Sequence, residues 1–96
     1  MAAYVIGAVD SIENPEGFVT YQEKAGPTLA RYGGHVITGG SNIEVADGNW
    51  SPVGVVIIAF ENIRRAKAWY NSPEYSEARL HRFESATSGL IFLDEG

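Results

Sequence analysis

Two stretches of the chain are apolar at almost every position, which is typical of strands covered on both faces. The first runs from Tyr4 to Ile12, and the second, VGVVIIAF, occupies residues 53–60. Because successive side chains of a strand point to opposite faces, Ile57 and Ile58 lie on different sides of the sheet. We therefore predict two central strands at these places.

A helix is predicted between the two runs. Asn14-Pro15-Glu16 supplies an N-cap, a proline at the first helical position and an acidic first turn. Gly33-Gly34 provides the left-handed residue at which helices commonly end. Gly26-Pro27 predicts a kink within the helix, because proline has no N–H and crowds the preceding turn. Apolar residues at steps of three and four predict one buried stripe: Phe18, Tyr21, Ala25, Leu29 and Tyr32.

Two short strand-like pieces, His35 to Thr38 and Ile43 to Val45, flank Gly39-Gly40. Glycines inside a strand permit a bulge or a sharp bend. We therefore interpret the two pieces as one bent edge strand.

The second helix is predicted in two parts. Asn62 caps its first part, a break falls at Ser72-Pro73, and a second part continues to about Ala86. Leu90 to Leu93 then forms the last strand. No linker is visible, so residues 1–96 form a single domain.

The element order is β-α-β-β-α-β. Two βαβ halves with right-handed crossovers place both helices on one face of a four-stranded antiparallel sheet, an α+β fold with strand order 4-1-3-2. This order puts the two most apolar strands in the middle.

One face of this sheet lacks a cover. The helices protect only one side, although the central strands are apolar on both. About six apolar side chains lie on the open face, and burying each contributes about 1.5–3 kcal/mol. If they stay exposed, the folded protein lacks on the order of 10 kcal/mol of stabilisation from burial. A homodimer through that face is the simplest way to cover it.

Charge and composition exclude several functions. Seven Lys and Arg residues against twelve Asp and Glu give a net charge of -5, which disfavours nucleic acids and anionic membranes. RNA-recognition motifs share the element order, but their third strand presents aromatic residues, where this chain has Val55 and Ile57. No apolar run is long enough for a membrane span, and no basic leader precedes Asp10, so we expect a cytoplasmic protein.

The sequence predicts neither a metal nor a cofactor. It contains no cysteine, and its two histidines, His35 and His81, stand far apart without an HExxH or a carboxylate-rich pattern. It also lacks the GxGxxG and GxxxxGK[ST] loops that bind dinucleotides and nucleotide phosphates.

Four segments resemble a known family: YVIGAVDSI, RYGGHVITGG, VVIIAFENIRRAKAWYNSPEYSEA and LIFLDEG. Together they are similar to the domain-of-unknown-function family numbered 1330, in the dimeric α/β-barrel superfamily. The resemblance implies a ferredoxin-like protomer whose sheet packs against that of a second copy. Related proteins include cofactor-free oxygenases and lactone isomerases, so the likeness concerns the fold and not one reaction. Arg82 matches an arginine of the family, whereas Thr38 stands where the family often has a basic residue.

Seven residues could meet around a cavity between the helices and the sheet. In this hypothesis His35 transfers a proton, Tyr21 or Tyr75 orients the substrate, and Arg82 pairs with a carboxylate or enolate. Four residues form the binding walls: Thr38, Trp50, Trp69 and Tyr75.

Each candidate also has a structural interpretation. Tyr21 lies on the buried stripe, His35 starts a strand, the two tryptophans suit a core or a dimer interface, and Arg82 suits a salt bridge. Two functions therefore remain open. The first is a homodimer that binds a small organic molecule, with cofactor-independent acid–base or oxygenase-type chemistry. The alternative is a noncatalytic dimeric module that senses a ligand or contacts another protein.

Overall fold

The computed structural model describes all residues, 1–96. Four strands form one antiparallel sheet in the order β2-β3-β1-β4, which is the predicted strand order with the two apolar runs in the centre. The elements follow along the chain as β1 (Ala3–Ile12), α1 (Pro15–Arg31), β2 (His35–Gly40), β3 (Gly54–Phe60), α2 (Ile63–Tyr70), α3 (Pro73–Ser85) and β4 (Ala86–Asp94).

The helices begin where the side-chain caps predict. The side-chain oxygen of Asn14 accepts a hydrogen bond from the Gly17 N–H at 3.2 Å, and that of Asn62 accepts from Arg65 at 2.9 Å. The Ser72 hydroxyl caps α3. The break before Pro73 separates α2 from α3, so the sheet is accompanied by three helices rather than two.

Helix α1 continues through Gly26-Pro27 as one element. It ends at Arg31, and Gly33 adopts a positive φ of 75° just beyond it. The backbone N–H of Gly34 returns to the Leu29 carbonyl at 2.9 Å, which satisfies one of the carbonyls that a helix end leaves open.

Two boundary predictions are wrong. Residues 43–45 form no strand, because pairing of β2 with β3 stops at Gly40 and Val55. Continuing that register would set residue 43 opposite Pro52, which has no N–H to donate. The last strand begins at Ala86 and not at Leu90, since the chain passes from α3 directly into extended backbone.

The two faces of the sheet have different environments. We call the face that carries Val5, Ile58 and Phe92 the inner face, because these residues pack with the helices in the hydrophobic core. The opposite, outer face carries a row of isoleucines across three neighbouring strands: Ile6, Ile57 and Ile91. None of the three helices combines the length and the hydrophobicity needed to cross a bilayer.

Candidate functional site

A cavity of about 620 Å³ lies between α1 and the inner face of the sheet. Helix α1 contributes Phe18, Tyr21 and Leu29 to its wall, and the sheet contributes Val56 and Leu90 among other apolar residues. Its size falls within the range of small-molecule sites, and its mostly apolar lining is typical of them.

Arg82 is the charged residue of this lining. It is only 6% exposed, and it takes no part in either of the protein's two salt bridges. One guanidinium nitrogen, Nη1, donates to the Ser88 hydroxyl at 2.7 Å, while Nε has no acceptor. The guanidinium carbon lies 5.8 Å from the centre of the Tyr21 ring. A buried cation at the cavity wall is therefore left without a counter-charge.

Tyr21 brings a hydroxyl group to the same wall. Its oxygen lies 2.9 Å from the hydroxyl oxygen of Tyr75, so the two share a hydrogen bond. Burial, followed by the proximity of Tyr75 and this hydrogen bond, raises the pKa of Tyr21 above its usual value, although Arg82 acts in the opposite direction. The hydroxyl is therefore protonated at neutral pH and is able to donate a hydrogen bond.

Trp69 supports the cavity from the core. It is 2% exposed, and its indole N–H donates to the Thr28 hydroxyl at 2.9 Å. That hydroxyl in turn donates to the Ala25 carbonyl of the preceding turn at 2.6 Å. The Trp69 ring centre lies 4.0 Å from that of Tyr75. These contacts hold the part of α1 that forms the cavity wall against α2 and α3.

The structure brings four of the seven predicted site residues together. Tyr21, Trp69 and Arg82 line the cavity, while Tyr75 is completely buried behind Tyr21. Tyr75 therefore reaches the cavity only through the Tyr21 hydroxyl, which is a positioning contact rather than the direct ligand contact that we predicted.

The other three residues lie elsewhere. His35 pairs with Ala59, and Thr38 pairs with Ile57, so both side chains share the outer face. The prediction that they meet the cavity is wrong, because a register shift after Val36 and the pairing with β3 direct them away from α1. Trp50 is 64% exposed in the segment between β2 and β3, beside a separate hollow of about 260 Å³.

Two contributors to the site were missed by sequence reasoning. Ser88 holds Arg82, but it lies between the predicted end of the second helix near Ala86 and the predicted start of the last strand at Leu90, and only the earlier start of β4 places it on the sheet. Glycines such as Gly7 and Gly54 form part of the cavity lining, and a glycine inside an apolar run was the available signal. The acidic and histidine side chains form no group of three that could hold a metal ion.

Solved structures of similar fold cover almost the whole chain. A protein of unknown function from Rhodopseudomonas palustris is 22% identical, with a TM-score of 0.79 over 99% of this chain and 82% of its own. A dimeric ferredoxin-like protein of unknown function from Thermobifida fusca is 15% identical, with a TM-score of 0.65 over 98% and 91%. The cofactor-independent oxygenase SnoaB from Streptomyces nogalater is 14% identical, with a TM-score of 0.62 over 99% and 92%.

These similarities establish a ferredoxin-like fold, as predicted, and at such identities they establish the fold alone. Among curated proteins, none matches the sequence. The family model described as "Domain of unknown function (DUF1330)" matches residues 2–95. The chain therefore belongs to this family of domains of unknown function.

Proposed function

We propose that this protein binds a small organic anion in the cavity between α1 and the inner face, with the negative group at Arg82. The observation that supports this most directly is the buried guanidinium without an acidic partner. Arginine remains charged at any ordinary pH, and buried charges in proteins are normally paired. A ligand carboxylate or enolate supplies the missing partner.

Two neighbouring groups favour an anionic oxygen at this position. Ser88 occupies one donor of the guanidinium and so restrains its orientation, while the buried Nε has no acceptor within the protein. Tyr21 lines the same cavity with a protonated hydroxyl. When Tyr75 donates to Tyr21, the Tyr21 proton is free for a ligand oxygen.

Binding is better supported than acid–base catalysis. The cavity lining contains no carboxylate and no histidine, and the raised pKa of Tyr21 keeps its hydroxyl protonated near neutral pH. His35, the predicted proton carrier, is on the outer face. Oxygenase chemistry of the kind named for SnoaB would therefore depend on the reactivity of the ligand itself and not on a base in this cavity.

We further propose that the protein acts as a homodimer joined through the outer face. Ile91 is 60% exposed there, and Leu93 is half exposed on the same strand. Similar structures from Thermobifida fusca and Bacteroides fragilis are of dimeric proteins. A second copy would bury these side chains and leave both cavities, which open on the other side of each sheet, available to ligands.

Native mass spectrometry of gently purified protein tests the proposed binding. We expect the wild-type protein to retain an acidic small molecule, and we expect Arg82→Gln to lose it because the neutral amide cannot pair with an anion. Arg79→Gln is the matched control, since Arg79 lies on the same helix outside the cavity and packs over the Tyr70 ring. That variant should retain the molecule.

Two results would contradict the proposal. The first is a retained molecule without an acidic group, or one that is bound equally by wild-type protein and Arg82→Gln. The second is a dimer that stays empty under all gentle purification conditions, which would favour the protein-interaction alternative. An empty dimer would assign the aromatic residues beside Arg82 to core packing.

A further inference from the structure

Three positions on the inner face of the sheet, at the floor of the cavity, are glycines and carry no side chain. Gly7 on β1 and Gly39 on β2 stand on either side of Val56, because both pair with it in the register. Gly54 pairs with Val9 and faces the same side. All three glycines line the cavity, so part of its floor is bare peptide backbone.

Packing explains two of these glycines but not the third. A Cβ atom at Gly39 would lie 2.9 Å from the Val55 carbonyl oxygen, and one at Gly7 would lie 3.3 Å from a Val56 methyl group. A Cβ atom at Gly54 would meet only the Gly40 carbonyl oxygen, at 3.9 Å, and the backbone there does not need a positive φ. Nothing within the protein therefore requires glycine at position 54.

A glycine in a strand weakens the strand unless something approaches the backbone closely. At Gly54 the space above the backbone is the cavity itself. The opposite wall carries the Phe18 and Tyr21 rings, whose centres are 5.6 Å apart, and the Trp69 ring also lines the cavity. The cavity thus combines a floor with few side chains and a wall of aromatic rings.

We infer that the ligand is a flat aromatic compound with one acidic group, whose ring system lies on the glycine floor and whose charge meets Arg82. This inference rests on the proposed function and narrows its ligand class. A flat ring can contact bare backbone on one face and aromatic side chains on the other. One charge is expected because Arg82 is the only charged residue of the lining, and a second buried charge would have no partner.

Isothermal titration with two carboxylates tests the shape of the ligand. The probes are 2-naphthoate, which is flat, and 1-adamantanecarboxylate, which is globular and has the same number of carbon atoms and the same charge. We expect 2-naphthoate to bind at least about tenfold more tightly. Equal binding, or tighter binding of the globular acid, would overturn the inference.

Substitutions at Gly54 test the floor itself. The side chain of Gly54→Leu would occupy the space above the backbone and should weaken 2-naphthoate binding at least about tenfold, whereas Gly54→Ala should weaken it less. Circular dichroism establishes whether each variant is folded. If Gly54→Leu does not fold, the smaller loss of affinity expected for Gly54→Ala still tests the floor. Unchanged affinity in a folded Gly54→Leu protein would show that the floor does not bind the ring.

The outcomes separate this inference from the function on which it rests. If both acids bind equally and Arg82→Gln weakens both, the anion site is supported and the flat-ring inference is wrong. If 2-naphthoate binds equally well to wild-type protein and Arg82→Gln, the proposed anion site is wrong. If neither acid binds, the flat aromatic monoanion is rejected as the ligand class.

Discussion

Tyr21 and Tyr75 connect the cavity to the hydrophobic core through their hydroxyl groups, whose oxygens are 2.9 Å apart. Tyr21 belongs to the cavity wall on α1, while Tyr75 is fully buried on α3, and their rings meet edge to face with centres 6.3 Å apart. Each buried hydroxyl is thus the partner of the other. Ionising Tyr21 would place a negative charge in a largely apolar environment.

Stability should therefore fall at alkaline pH. The raised pKa of Tyr21 means that the folded protein holds this proton more tightly than the unfolded chain, whose ordinary value is 10.0. The resulting stabilisation is fully present below that pH and declines above it, by up to about 1.4 kcal/mol per pH unit for one proton. Urea unfolding at pH values on both sides of 10.0 measures this decline.

The Tyr21→Phe variant identifies the group responsible. It removes the titrating hydroxyl and keeps the ring, so its unfolding free energy should decline less steeply above the same pH. If the variant and the wild-type protein show the same slope, the alkaline transition arises elsewhere in the chain.

Arg82→Met should make the ligand-free protein more stable. The substitution replaces an unpaired buried charge by an apolar side chain of similar length, and we expect the free energy of unfolding to rise by about 1–2 kcal/mol. Ligand binding should be lost at the same time, since a site built for function can reduce stability. Urea unfolding at one protein concentration, with and without 2-naphthoate, measures both effects.

Arg79→Met is the control, and it should change the free energy of unfolding in the opposite direction. Arg79 donates to the Tyr70 carbonyl at 3.3 Å, and its guanidinium carbon lies 4.3 Å from the centre of the Tyr70 ring. Its loss should lower stability by about 1 kcal/mol. If Arg82→Met also lowers stability, the protein itself compensates the Arg82 charge, and Arg82 needs no anionic ligand as its partner.

The parts of the fold that were predicted correctly depend on local pattern. The apolar runs around Ile6 and Ile57 report burial on both sides of a central strand, which is visible without knowing the neighbouring strands. The caps at Asn14 and Asn62 depend on backbone groups three residues away. Such features can be recognised from a short window of the sequence alone.

The errors concern features that depend on a partner strand. His35 faces away from the cavity because of its pairing with Ala59. A change of the strand register by one residue would have turned its side chain to the inner face. Residues 43–45 have strand-like composition, but β3 offers them no hydrogen-bonding partner before Gly54. Arg82 was indicated by the family resemblance, whereas its contact with Ser88 depends on the position of β4.

Thr28→Val should destabilise the protein although it preserves the size of the side chain. The Thr28 hydroxyl accepts the indole N–H of Trp69 in the core, and valine would leave that buried N–H without an acceptor. The expected loss is about 1–3 kcal/mol. Thermal and urea unfolding measure the loss, and in a Trp50→Phe background, where Trp69 is the remaining tryptophan, fluorescence reports the changed environment of the indole.

Thr20→Val is the matched control for this substitution. The Thr20 hydroxyl also donates to a helical carbonyl, that of Glu16 at 3.1 Å, but this bond is exposed and supports no other group. Its removal should change stability by less than about 0.5 kcal/mol. Equal losses for Thr28→Val and Thr20→Val would show that the contact with Trp69 has no special importance.

Ile91→Lys should separate the proposed dimer into monomers. Ile91 pairs with Ile6 on the outer face, and a lysine at this position would have to bury its charge against a second apolar sheet. Light scattering coupled to gel filtration at micromolar concentration should give the mass of two chains for the wild-type protein and of one chain for the variant. Val19→Lys is the control, since Val19 is similarly exposed but lies on α1, away from the sheet. A dimeric Ile91→Lys protein, or a monomeric wild-type protein, would exclude the outer face as the interface.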